Sequence, residues 1–237
     1  MTSRLMKGLA AFLLVMGIMA LPAHAGTLAT FIGPPGTTIT VAPLSFTGIP
    51  PLQVSGTQAG SFDPTAVMVS GVTTSNGSGI EFSDPSGPMG GVIGANQFLE
   101  VDFGYKVTAN PGTLIDDLSM SILSASATGT GQVDITENVF ADAAMTNELA
   151  SLYTYVLSSG STSKSSDNLA LCNCTQHTTL YVAVDILFIG GTHGTTGTAS
   201  LSEFEQNFAA PEPATLALAC SGLPVLGLFW ARRHRAK

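Results

Sequence analysis

From Gln97 onward, apolar side chains recur at every second position: Leu99, Val101, Phe103, Tyr105 and Val107 share one parity, and Glu100, Asp102, Gly104, Lys106 and Thr108 the other. Successive side chains of an extended chain point to opposite faces, so this is a strand with one face in a core and one in water. Asn110-Pro111-Gly112 then predicts a turn. Beyond it Leu118, Met120 and Ile122 alternate with Ser119 and Ser121, so residues 97–124 read as a hairpin. A third strand is expected over 132–139, where Val133, Ile135 and Val139 oppose Gln132, Asp134 and Thr136, with Glu137 standing on the apolar parity. Residues 179–189 are apolar on both parities except at Asp185, which predicts a central strand covered on both sides or one strand of a sandwich, ended by Gly190-Gly191. A closing strand over 199–208 would pack through Phe204 and Phe208, and 142–149 is either one short helix or an irregular excursion.

Short strands separated by Gly, Asn and Pro turns predict an all-β fold, an antiparallel β-sandwich with a jelly roll among the topologies it allows. Gly33-Pro34-Pro35-Gly36 and Gly48-Ile49-Pro50-Pro51 interrupt the N-terminal part, so strands there are expected to be short or at an edge.

The two ends follow a different pattern. Arg4 and Lys7 precede an apolar stretch from Gly8 to Leu21, and Ala23-His24-Ala25 offers Ala23 and Ala25 as the small residues of a signal peptidase site, with cleavage before Gly26. A two-span membrane protein is set aside because this first stretch is too short and wrongly flanked. At the other end Pro211-Glu212-Pro213 is followed by residues 214–231 without a charge, then by Arg232, Arg233, His234, Arg235 and Lys237. Eighteen residues rise ~27 Å as a helix, enough to cross a bilayer core, and the basic cluster prefers the cytoplasmic side. This tail resembles the PEP-CTERM sorting signal of Gram-negative bacteria. The resemblance implies recognition by an exosortase: Pro211, Glu212 and Pro213 as the motif, a single transmembrane helix over 214–231, and Arg232, Arg233 and Arg235 within the basic cluster 232–237. An ordinary tail anchor is the plainer alternative. The chain therefore divides into a signal peptide at 1–25, an exported domain at 26–209 and a sorting tail at 210–237. The prolines keep the motif extended and without N–H donors, which suits a peptide laid into a processing enzyme's cleft.

Charge changes once the ends are set aside. Between Gly26 and Ala210 only Lys106 and Lys164 remain against fifteen of the sixteen acids, a net of −13. Such a surface repels phosphate backbones and anionic headgroups, which excludes nucleic acid as a partner. Acidic polysaccharide is approachable only through divalent cations or neutral sugar faces.

Candidate chemistry is sparse. Cys172 and Cys174 are the disulfide candidate, with Cys220 inside the apolar tail and out of reach. In an extended strand their Cα atoms would stand nearly 7 Å apart, so a bridge needs a turn. The alternatives are a strained redox disulfide or a soft-metal site with His177, which lacks a second Cys/His pair. There is no nucleophile elbow, zinc-protease helix, P-loop or EF-hand motif. Glu100, Asp102, Asp134, Glu137 and Asp185 could in principle supply a glycosidase pair, although a solvated acidic face is the favoured explanation. Asp116, Asp117, Asp63 and Asp84 are possible Ca²⁺ ligands, and Asx turns explain Asp63-Pro64 and Asp84-Pro85 without an ion. Thr-rich stretches at 37–40 and 192–198 could offer flat hydroxyl arrays to ice or glycan, while Trp230, the single tryptophan, lies in the tail.

The expectation from these residues is a non-enzymatic surface or exopolysaccharide-matrix protein with no catalytic residue, metal site or cofactor. Its expected partners are signal peptidase, the exosortase, the inner membrane through the tail helix, and exopolysaccharide. A glycan- or ice-binding module is the first alternative, and an extracellular hydrolase with paired carboxylates the second.

Overall fold

The computed structural model describes residues 26–75, 77–158, 164–171, 177–191 and 196–210. The signal segment, the sorting tail with Pro211, Glu212, Pro213, Arg232, Arg233 and Arg235, and the pair Cys172 and Cys174 lie outside the described residues, as does His193. Among the described residues no helix is long and apolar enough to cross a membrane.

Two six-stranded antiparallel sheets pack face to face. The first holds, in spatial order, β1 (Gly26–Thr27), β4 (Met68–Thr74), β5 (Gly77–Ser83), β12 (Gly197–Ala209), β7 (Asp117–Gly129) and β10 (Ser166–Ala170). The second holds β2 (Thr38–Val41), β3 (Leu44–Ser55), β6 (Phe98–Ala109), β11 (Thr179–Ile189), β8 (Gln132–Phe140) and β9 (Glu148–Leu157). One five-residue helix, α1 (Leu28–Ile32), is capped by the Thr27 side chain, which accepts from the Thr30 amide, and it buries Leu28, Phe31 and Ile32 against the core.

Parity explains the core. Leu99, Val101, Phe103, Tyr105 and Val107 are buried, as are Leu180, Val182, Val184, Ile186 and Phe188 of β11, so both strands present one apolar row to the opposite sheet. Rings join the sheets: Phe82 of β5 stacks on Phe204 of β12 at 4.8 Å and meets Phe103 of β6 at 5.1 Å. Phe46 of β3 meets Phe208 of β12 at 5.7 Å. Aromatic pairs at such spacings contribute about 0.5–1.5 kcal/mol beyond the area they bury.

The structure decides four sequence expectations. The turn at 110–113 forms, with the Thr113 amide donating to the Asn110 carbonyl, but β6 and β7 do not make a hairpin. They lie in different sheets, because residues 113–116 add enough chain to cross the ~10 Å between layers and both apolar rows still point inward. Asp102 is half-buried rather than fully exposed, since the outer face of the second sheet is partly covered. β3 is a twelve-residue strand despite its prolines. Pro50 and Pro51 fall where the register between Ile49 and Gln53 slips, on the half of β3 that β2 leaves unpaired, so their missing amides cost no ladder bond. Residues 141–147 are an irregular loop, where the Asp142 carboxylate accepts from the amides of Thr146 and Asn147.

Candidate functional site

The outer face of the second sheet gathers most of the polar chemistry noted in the sequence. Asp102 of β6 and Asp185 of β11 are direct cross-strand partners, and Glu100 pairs with Leu187 one step along. Ligand oxygens of Glu100, Asp102 and Asp185 lie within 4.8 Å of one another. The strand register alone forces this: residues of equal parity on adjacent antiparallel strands stand side by side. Like charges held so close disfavour ionisation. Partial burial, then Asp102, Glu100 and Asp134, push the Asp185 carboxyl up to about 6. Asp102 is raised by partial burial and then by Glu100. Among the described residues these three are the group that could hold a metal ion, and an all-oxygen set of this kind suits a hard cation such as Ca²⁺.

Next to the carboxylates the face is hollow. A cleft of about 520 Å³ is lined by Ile49, Pro50, Pro51 and Gln53 on one side, by Asn138 and Ala143 to Met145 on the other, and by Asp102, Gly104, Ala183 and Asp185 beneath. Its depth comes from small side chains. A Cβ at Gly104 would stand 3.3 Å from the Met145 methyl and 3.1 Å from the Val182 carbonyl oxygen, so a side chain there would press on the loop and on the neighbouring strand. Met145 itself holds φ at 53°, a left-handed value that aims the loop over the sheet.

Beyond β11, the outer face continues to an aromatic pair. Tyr153 and Tyr155 of β9 lie with ring centroids 5.4 Å apart, and Tyr153 is 39% exposed. The Tyr153 hydroxyl donates to Asp134 of β8 at 3.0 Å, and Gln132 Nε2 donates to the same carboxylate. Burial and Asp134 push the Tyr153 hydroxyl up to about 12, so it stays a neutral donor. Asp167 fixes the strand from outside by accepting the Tyr153 amide at 2.9 Å while paired with Lys164 at 2.7 Å.

The structure separates the other candidates. Glu137 leaves the acidic set entirely, for it points into the core and is 1% exposed. Asp63 and Asp84 are occupied by Asx turns: Asp63 Oδ1 accepts from the amide and hydroxyl of Thr65, and Asp84 Oδ1 from those of Ser86. The described threonines do not form one array. Thr38 pairs with Thr47 in the second sheet and Thr128 with Thr198 in the first, each hydroxyl satisfied by its neighbour. His177 ties its backbone to Ile115, whose amide donates to the His177 carbonyl at 2.9 Å. Tyr153 and Tyr155 are the site residues that sequence reading missed. Their signal was present in the i/i+2 spacing, but Tyr on the outer parity and Thr154 on the inner one invert the usual apolar-in pattern.

No family model matches this sequence, and no curated protein matches it. Among solved structures the chain is similar to TmCBM61 in complex with β-1,4-galactotriose, at 17% identity over 67% of this chain and 89% of that one, with a TM-score of 0.27. It is also similar to the family 11 carbohydrate-binding module from Clostridium thermocellum in complex with a β-1,3-1,4-mixed-linked tetrasaccharide, at 10% identity, 80% and 98% coverage and a TM-score of 0.20. A third is the xylan-binding module CBM15, at 9% identity, 69% and 96% coverage and a TM-score of 0.23. At such scores the likeness carries no argument about ligand or activity.

Proposed function

We propose that this chain is an exported, non-catalytic glycan-binding protein that holds a polysaccharide across the outer face of its second sheet. The observation that carries the reading is the continuity of one face: the cleft over Gly104 and Ala183, the carboxylates of Asp102 and Asp185, Asp134, and then the Tyr153/Tyr155 pair. Sugars present apolar C–H faces and rings of hydroxyls, and sites that take them combine a flat aromatic surface with a few fixed polar groups. Carboxylates accept hydroxyl donors strongly, and several anions at one site discriminate against uronic acids and sulfated chains. Five strands at about 4.8 Å give the face room for a short run of sugar rings.

Two features weigh against hydrolysis. Asp102 and Asp185 project in parallel from neighbouring strands of one sheet instead of facing each other across a groove. Their ligand oxygens lie within 4.8 Å, closer than the roughly 6.5–9.5 Å that admits a water between an inverting pair. The PEP-CTERM-like tail supports delivery to the cell surface or an exopolysaccharide matrix after export by the signal segment. Glu212 with Pro211 and Pro213 would be the element read by an exosortase, and the 214–231 helix the temporary anchor.

Titration calorimetry with neutral and acidic oligosaccharides tests the reading. Tyr153→Ala should weaken binding of a neutral chain at least tenfold, a loss of about 1.4 kcal/mol. Asp185→Asn should alter affinity without abolishing the fold. Absence of binding to any neutral glycan, or an unchanged affinity in Tyr153→Ala, would refute it.

A further inference from the structure

Glu137 of β8 is, among the described residues, the single carboxylic acid in the buried core, and its position has nothing to do with the outer face. Its cross-strand partners are Val184 of β11 and Leu152 of β9, both apolar. Tyr105 of β6 donates its hydroxyl to the Gln206 carbonyl oxygen, and the Gln206 amide nitrogen points to Met120 Sδ at 4.0 Å. Gln206 is near enough to favour the charged carboxylate, yet neither oxygen of Glu137 closes a hydrogen bond. A buried charge without a partner is the most unfavourable state available to such a group. The side chain escapes it by keeping its proton, and burial pushes its carboxyl up to about 8.

We propose that Glu137 is a built-in alkaline sensor: the fold stores it as a neutral acid between the sheets, and its ionisation loosens the seam between β8 and β12. Asp185 of β11, Tyr153 and Tyr155 of β9, and Glu203 and Glu205 of β12 stand on the outward parity of their strands, and the titratable group that shares the core with Glu137 is Tyr105. Burial and Glu137 hold that phenol well above its ordinary value, so it stays neutral throughout. Val184, Leu152, Gln206 and Met120 do not titrate.

The sign follows from linkage. Between the ordinary value of 4.5 and the folded value of about 8 the folded state holds a proton that the unfolded state has lost, so stability falls as pH rises and levels off above about 8. Asp185, raised to about 6, adds its slope lower down, so the Glu137 contribution is read from about pH 6.5 to 8 as the difference from a variant without that carboxyl. One proton over that interval corresponds to a melting-temperature loss of about 3–5 °C per pH unit.

Thermal unfolding of the full-length protein and of Glu137→Gln across this range is the test. The wild type should show that slope and the variant should not, so that the gap between them widens up to about pH 8 and then stays constant. Parallel curves would overturn the proposal. Should the variant fail to fold, infrared spectroscopy of folded wild type decides: a protonated-carboxyl band present near neutral pH and lost above about pH 8 supports the proposal, and its absence near neutral pH overturns it.

Discussion

Phe103 and Asp102 are consecutive on β6 and face opposite media, and the consequences of changing them differ in sign. Phe103 is 4% exposed and meets Phe82 across the core, so Phe103→Ala leaves a cavity and should cost about 3–5 kcal/mol in denaturant unfolding. Asp102 lies directly opposite Asp185 with Glu100 beside it. Removing one of several crowded like charges relieves repulsion, so Asp102→Asn should stabilise by a few tenths to about 1 kcal/mol. Equal and destabilising effects of both changes would show the face assignment to be wrong. Asp185 adds a pH dependence at this scale. Its folded value of about 6 exceeds the ordinary 3.8, so its contribution to stability is full below about pH 4 and declines as pH rises toward 6. Melting curves recorded from about pH 4 to 6.5 should show a slope in the wild type that is smaller in Asp185→Asn.

At the scale of elements, the central strand of the first sheet changes parity midway. β12 faces Ala199 and Leu201 inward, then Phe204, Gln206 and Phe208, because its pairing with β7 slips on either side of Glu203. Ser202 on β12 and Leu123 on β7 are left without a register partner, and both strands resume with inward residues restored. A one-residue shift in a strand turns every side chain to the other face. Deleting Ser202 should therefore expose either the Ala199/Leu201 pair or the Phe204/Phe208 pair and abolish folding, whereas Ser202→Ala should change stability by less than about 0.5 kcal/mol. Circular dichroism and solubility of the two variants separate these outcomes. A folded deletion mutant would mean that the bulge is not what sets the register.

The whole molecule combines a strongly acidic domain with two basic, apolar ends. Fifteen acids against two bases between residues 26 and 210 make this segment strongly anionic and disfavour its approach to anionic surfaces, so under the proposed function attachment falls to specific recognition and to the tail. Replacing Glu212 with Ala should leave full-length protein in the inner membrane, as seen by fractionation and mass spectrometry of the C-terminus. Release with the same C-terminus as wild type would count against exosortase sorting. Export under the proposed function would place Cys172 and Cys174 in an oxidising setting. Thiol labelling of folded, unreduced protein should find neither free, and a tightly bound zinc would instead point to a metal site with His177.

The periodicity of the chain was sufficient to identify the strands β6, β7, β8, β11 and β12, and for β6, β7 and β8 the face that is buried, because burial acts on each side chain according to its own parity. It was also sufficient to mark Glu137 as out of place. It was not sufficient to say which strand pairs with which. The rows at 99–107 and 118–122 satisfy a hairpin and a pair of facing sheets equally well, and only the crossing at 113–116 decided between them. The outer face shows the same limit. Asp102 and Asp185 lie far apart in the chain, and nothing local announces that β6 and β11 are neighbours in register. The N-terminal strands and β9 were hidden for a related reason: prolines, glycines and outward tyrosines break the alternation, and long-range packing against the opposite sheet holds those residues extended where local preference does not.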